Sequence, residues 1–169
     1  GNFYALYQWW QSVLRYQRST AVEFGASITP GTDGSVDLAD AEAAGSDLCL
    51  LDSLDPAVVT GKVVLCRRGG NGRVEKSLAV LQAGGVGMIL YNNSDSDNLF
   101  TDNFWVPTVH LDFTEGSAIK DYIASHDDPQ AKIHRTGKRT EIDGDPSITI
   151  FSSRGPNPSS EDIIKPDVT

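Results

Sequence analysis

The sequence predicts a mixed α/β fold, and three observations predict it. Residues 63–66 (VVLC) and 86–91 (VGMILY) are short, nearly continuous apolar runs, the pattern of strands buried on both faces. Between them the apolar period lengthens, and Val74, Leu78 and Leu81 fall at i, i+4 and i+7, one face of a helix. Gly84 and Gly85 end that helix, because glycine enters the left-handed C-terminal conformation without a Cβ clash. A strand, a helix and a strand joined this closely predict a parallel pair with the helix as its crossover.

The loop at 67–72 places Asn71 to cap the helix. Its glycines, Gly69, Gly70 and Gly72, lack both the GK[ST] of a P-loop and the G-x-G-x-x-G spacing. A tight strand-to-helix turn accounts for them better than a phosphate cradle.

Taken in order, residues 2–20 form a lead-in segment. Phe3, Leu6, Tyr7, Trp10, Val13 and Leu14 share one helical face, an amphipathic helix pattern, although the aromatics also suit a strand. That face offers packing for the chain's own core, for a parent protein or for a second copy in a homodimer. With Arg15 and Arg18 its basic residues, it makes a poor membrane-surface helix. Residues 21–47 shift to Gly, Asp, Ala and Thr, with turn signals at Pro30-Gly31 and Asp33-Gly34 and short strands near 22–24 and 36–38. Residues 53–59 (SLDPAVV) read as one helical turn opened by Pro56.

After Tyr91 comes an acidic, turn-rich loop, NNSDSDNLFTDNFW. Asn93, Asp95, Asp97 and Asn98 resemble calcium-loop chemistry, but no glycine stands sixth and no glutamate twelfth, so a solvated acidic loop is expected. Phe100, Phe104 and Trp105 are its candidate partner-contact residues, since large aromatics among turn residues are either core anchors or contacts. Phe100 is expected to be the exposed anchor and Trp105 to be half-buried. A strand follows at 106–111. A helix at 114–125 turns Ile119, Tyr122 and Ile123 inward, capped by Asp112 with Glu115 or by Thr114. A last strand at 131–142 carries Lys132, His134, Arg135, Lys138 and Arg139, charges that protect an edge.

A chain of 169 residues buries one good core, so one domain with tails is expected. A net charge of −9 and a pI near 4.6 exclude a nucleic-acid partner, whose phosphates such a surface would repel. No apolar run approaches the ~20 residues of a membrane span. Gly1 opens no signal peptide, so the sequence is expected to start inside a longer precursor or at an artificial boundary. Cys49 and Cys66 are too few for a zinc site and form no C-x-x-C; they are either a disulfide or two buried thiols. His110, His126 and His134 have neither metal-ligand spacing nor a fixed carboxylate, and no cofactor site is evident.

GKVVLCRRG, then a helix ending in AGG, then VGMILYNN, strongly resembles the protease-associated (PA) domain inserted in subtilisin-like serine peptidases. VPTVHLDFTEGSAIKDYIAS, the DPQAKI stretch, FSSRGPNP and IIKPDVT follow in the order those peptidases show, so the resemblance spans residues 22–169. It implies a PA fold, a small curved or barrel-like β-sheet core with flanking helices, over residues 21–142. Residues 143–169 are then a tail belonging to the catalytic domain, with its ITIF strand displaced and exposed when that domain is missing. In such domains a cysteine before the L-D-P-x-x-V segment commonly pairs with the one ending the GKVVLC strand. That implies a Cys49–Cys66 disulfide and a secreted, extracellular protein.

The resemblance also places the aspartate and histidine of a serine-peptidase triad upstream and the serine downstream, in a G-T-S-M-A type motif that this sequence lacks. It implies no catalytic residue here. The expected role is that of an accessory domain of a secreted endopeptidase, acting in substrate access, substrate recognition or protein contact. Its expected partners are the parent's protein or peptide substrate and the catalytic domain of the same polypeptide. The alternative is a stand-alone ligand- or carbohydrate-binding module, for which the FSSRGPN tail would have no use.

Overall fold

The computed structural model describes residues 11–16 and 22–134. Its strands are β1 (Gln11–Tyr16), β2 (Val22–Ala26), β3 (Val36–Asp40), β4 (Val63–Arg67), β5 (Gly87–Tyr91), β6 (Thr108–Leu111) and β7 (Gln130–Ile133). Its helices are α1 (Pro56–Val59), α2 (Arg73–Gln82) and α3 (Phe113–Ser125). The strands close into a barrel in the order β1-β2-β6-β5-β4-β3-β7. β3, β4, β5 and β6 run parallel, and β1, β2 and β7 join them antiparallel.

The predicted strand, crossover helix and strand are β4, α2 and β5. Val63, Val64, Leu65 and Cys66 pair with Gly87, Met88, Ile89 and Leu90, and all eight are buried. Because side chains alternate along a strand, this pair feeds two cores. Val64, Cys66, Met88 and Leu90 pack with Val59, Ala79, Val80 and Ala83 under α1 and α2. Val63, Leu65, Ile89 and Tyr91 pack with Val109, Leu111, Ile133 and the α3 residues Ile119 and Tyr122. At Gly116 of α3, an added Cβ would lie 2.2 Å from Cβ of Tyr91, so only glycine lets α3 approach β5 this closely.

The end of α2 follows its glycines. Gly84 has φ +84°, its N–H donates to Leu81 O, and Gly85 N–H donates to Val80 O, which satisfies two end carbonyls. The start differs from expectation. Gly72, not Asn71, is the capping residue, and the Glu75 carboxylate reaches back to accept Gly72 N–H at 2.9 Å. The buried face also differs: Lys76, Ser77, Ala79 and Val80 turn inward, while Leu81 is 43% exposed. The alanines let α2 lie close to the sheet, and Lys76 and Ser77 are tolerated inside because each finds hydrogen-bond partners there.

Two further expectations are corrected, and one reaches past the described residues. Residues 11–16 of the lead-in are strand β1, not helix; β1 pairs with β2 and β7 and so belongs to the barrel. The last strand ends at Ile133, and its expected continuation to 142 lies outside the described residues, as do the tail at 143–169 and residues 1–10. Helix α3 receives no side-chain bond from Asp112. Asp95, in the loop after β5, supplies it instead, accepting Thr114 N–H at 2.9 Å and Thr114 Oγ1–H at 2.7 Å. Among the described residues no helix is long and apolar enough to cross a membrane.

Candidate functional site: the loop between β5 and β6

Residues 92–107 leave β5 at one end of the barrel and return to begin β6 at the other, and buried polar groups fix their course. Asn92, fully buried, donates from Nδ2 to Asp97 O at 3.1 Å and to Asp112 Oδ1 at 3.1 Å. Its Oδ1 accepts from Arg68 Nη1 at 3.0 Å and lies 2.8 Å from His110 Nε2. His110 Nδ1 in turn accepts Phe100 N–H at 3.0 Å, which assigns the ring proton to Nε2. Burial above all, then the nearby Arg68 and Arg73 charges, push the His110 pKa down to about 4 against the pull of the Phe100 carbonyl oxygen, 3.2 Å from Nδ1, which raises it, so the ring is neutral. Burial raises the Asp112 pKa, opposed by the Asn92 bond.

The aromatics are placed from that base. The Phe100 ring carries the Arg73 guanidinium at 4.4 Å and that of Arg68 at 5.2 Å from its centroid, cation–π geometry. Arg73 Nε also donates to Asp102 Oδ2 at 2.6 Å, part-buried on both sides. Trp105 N–H donates to Ser77 Oγ at 3.1 Å, which ties the end of the loop to α2. Phe104 is half-buried against the α2-side core.

The expected exposures of Phe100 and Trp105 are therefore reversed. Phe100 is half-buried beneath two arginines, and Trp105 stands 60% exposed. The reason is non-local, since Arg68 follows β4 and Arg73 opens α2, both before β5 in the sequence. Sequence reasoning also missed Asn92 and His110 as organisers of the loop; an Asn ending one strand and a His inside the next carry no local sign of their pairing. The polar side chains of the loop have structural work: Asp95 caps α3, Asp102 holds Arg73, and the Asn93 amide Oδ1 accepts from Arg67 Nη1 at 3.2 Å. His126 closes the end of α3 with Tyr122 O at 2.9 Å and Ser125 Oγ at 3.0 Å, a local helix-end contact.

At the base of α2, Cys49 and Cys66 are joined in a disulfide with Cα atoms 5.7 Å apart, and both are fully buried. Cys49 holds φ +47°, unusual for a residue with a side chain. Beside it the buried Lys76 Nζ donates to Leu48 O, to Gly69 O at 2.7 Å and to Asn71 Oδ1. Three acceptors match the three donors of an ammonium group. Desolvation lowers its pKa to about 8, which leaves it charged at neutral pH.

Comparison with known proteins accords with this architecture. The PA domain family matches residues 28–119. "Subtilisin-like protease SBT1.4" of Arabidopsis thaliana is 44% identical over 149 residues, 85% of this chain and 19% of that protein. "Subtilisin-like protease SBT1.6" of the same plant is 44% identical over 124 residues, 73% of this chain and 16% of that protein. This chain thus spans less than a fifth of the length of these relatives. Among solved structures, an aminopeptidase from Aneurinibacillus sp. strain AM-1 superposes with a TM-score of 0.54 at 20% identity, over 76% of this chain and 30% of that one. BSAP, a zinc aminopeptidase from Bacillus subtilis, gives 0.53 at 21%, over 78% and 31%. At such identities the likeness shows the fold alone. The sequence match and the barrel agree: this chain belongs to the PA domain family and is related to subtilisin-like proteases.

Proposed function

We propose that this chain is the non-catalytic accessory domain of a secreted subtilisin-like serine endopeptidase, and that it governs access or binding of protein substrates through the loop at 92–105. The observation that carries the reading is Trp105, which is 60% exposed on a loop held by Asn92, His110, Arg73 and Ser77. A large aromatic presented from a fixed frame loses little entropy when a partner covers it. Trp105 is the contact residue, and Phe100 and Phe104 support it from within. The disulfide favours an oxidising compartment, which fits secretion. Residues 143–169 are proposed to re-enter the catalytic domain of the parent, and the triad to lie in that parent, outside this sequence.

A protein-substrate or fluorogenic-peptide assay on this chain alone tests the accessory role. No turnover is expected, because nucleophile, base and oxyanion hole are all assigned to the parent's catalytic domain. Turnover abolished by a serine-directed inhibitor would overturn the assignment.

A further inference from the structure

We propose that Asn71–Gly72 is a self-modifying site, at which the folded protein deamidates its own asparagine. It is the one Asn-Gly pair in the sequence, and the fold surrounds it with the groups that reaction needs. The nucleophile is the Gly72 backbone nitrogen, whose N–H points at Glu75 Oε2 at 2.9 Å rather than into the helix ladder. An added Cβ on Gly72 would lie 3.2 Å from that oxygen, so the bare glycine leaves the carboxylate room. The electrophile is the Asn71 carboxamide carbon, whose Oδ1 accepts from the Lys76 ammonium at 2.5 Å. A fixed cation on the oxygen that gains charge stabilises a tetrahedral intermediate, and a carboxylate on the attacking N–H serves as general base. Among the described residues, Asn71 Nδ2 donates to Cys49 O alone, a long bond of 3.4 Å. Gly72 is exposed and Asn71 half-buried, so water reaches the pair.

In the reaction, Gly72 N bonds to Asn71 Cγ while its proton passes to Glu75. The Cγ–Nδ2 bond then breaks, and the leaving nitrogen takes a proton and departs as ammonia. Water opens the resulting five-membered succinimide. Cleavage of the new N–Cγ bond gives aspartate at 71, and cleavage of the original backbone amide bond gives isoaspartate. No oxidant or other reagent is required. Aspartate would keep its contact with Lys76 as an ion pair. Isoaspartate adds a methylene to the backbone just before the helix cap and draws residue 71 off Lys76. Because Lys76 also holds Leu48 O and Gly69 O, that product loosens the segment carrying Cys49.

The test is to age the folded protein at neutral pH and follow the tryptic peptide 69–73 by mass, with isoaspartate read by isoaspartyl methyltransferase. The free peptide 69–76, in which Glu75 and Lys76 are not held in place, is the reference. Native protein is expected to convert at least as fast as the peptide. Glu75→Gln, which can still accept Gly72 N–H but takes up no proton, should slow the native conversion about tenfold or more. Asn71 remaining intact in the native protein while the peptide converts would overturn the proposal. So would a Glu75→Gln rate equal to that of the wild type. A loss of ammonia that hydroxylamine cannot open, the sign of a Lys76–Asn71 cross-link, would also overturn it, because the amine rather than the backbone would be the nucleophile.

Discussion

His110 and Phe100 are joined twice: the imidazole Nδ1 accepts the Phe100 backbone N–H at 3.0 Å, and the two rings lie 25° from parallel with centroids 6.5 Å apart. This contact fastens the middle of the 92–107 loop to β6, while Asn92 fastens its beginning through the other ring nitrogen. One buried imidazole therefore sets the path of a whole surface segment.

That arrangement fixes a pH dependence. In the unfolded state His110 takes a proton near its ordinary 6.5, whereas in the fold it resists protonation down to about 4. Between those values the unfolded state binds more protons, so stability is complete above 6.5 and declines as pH falls towards 4, by about 3 kcal/mol. Arg68 and Arg73 face the ring and oppose its charging, Asp102 favours it, and Asp112 reaches it through Asn92. Asp112 and Glu23, whose pKa values burial raises, contribute with the opposite sign in the acid range. Urea unfolding of the wild type and His110→Gln across this range isolates the histidine. The variant should be less stable at neutral pH and show the shallower decline on acidification.

Removing the disulfide with Cys49→Ala and Cys66→Ala should cost about 3 kcal/mol, as expected for a bridge across a sequence separation of 17. Denaturant midpoints of the oxidised wild type and the double variant measure it, and equal midpoints would contradict the estimate.

Lys76→Met should destabilise by about 3 kcal/mol or more, because it leaves Leu48 O, Gly69 O and Asn71 Oδ1 without their buried donor. A hydrophobic residue of similar length fills the space, so the loss reports the polar contacts rather than a cavity. Thermal unfolding reads it, and an unchanged midpoint would show that water replaces the ammonium.

Gly116→Ala should cost about 1–3 kcal/mol, since its methyl would collide with Tyr91 and force α3 off β5. Thermal unfolding again reads the effect; a gain in stability from the better helix former would show that α3 shifts freely.

The parts of this fold that are legible in the sequence are those whose signals are local. The apolar runs of β4 and β5 and the Gly84–Gly85 stop mark themselves within a few residues. Pro56 likewise marks α1, to which Asp55 adds a cap by accepting Ala57 N–H at 2.9 Å. The misread parts depend on distant partners. Lys76 and Ser77 look like surface residues until Leu48 O and Trp105 N–H, each 28 positions away, supply their hydrogen bonds. Without them the helical face shifts to Leu78 and Leu81. Asp95 caps a helix 19 positions on, which no capping-box spacing reveals. In β1, Val13 and Leu14 fit either period, and the strand forms because β2 and β7 offer two edges for it to close. Phe100 and Trp105 exchange roles for the same reason, since Arg68 and Arg73 cover one ring and leave the other open.

Trp105→Ala in the full-length parent protease decides whether this loop is a contact surface rather than a mere connection. The side chain is 60% exposed, so its loss should cost under about 1 kcal/mol of stability and leave the domain folded. The predicted result is a fall in kcat/KM on long protein substrates of about tenfold, the scale of one good interfacial aromatic, with short fluorogenic peptides cleaved as before. Unchanged cleavage of both substrate classes would contradict it, and so would an equal loss on both.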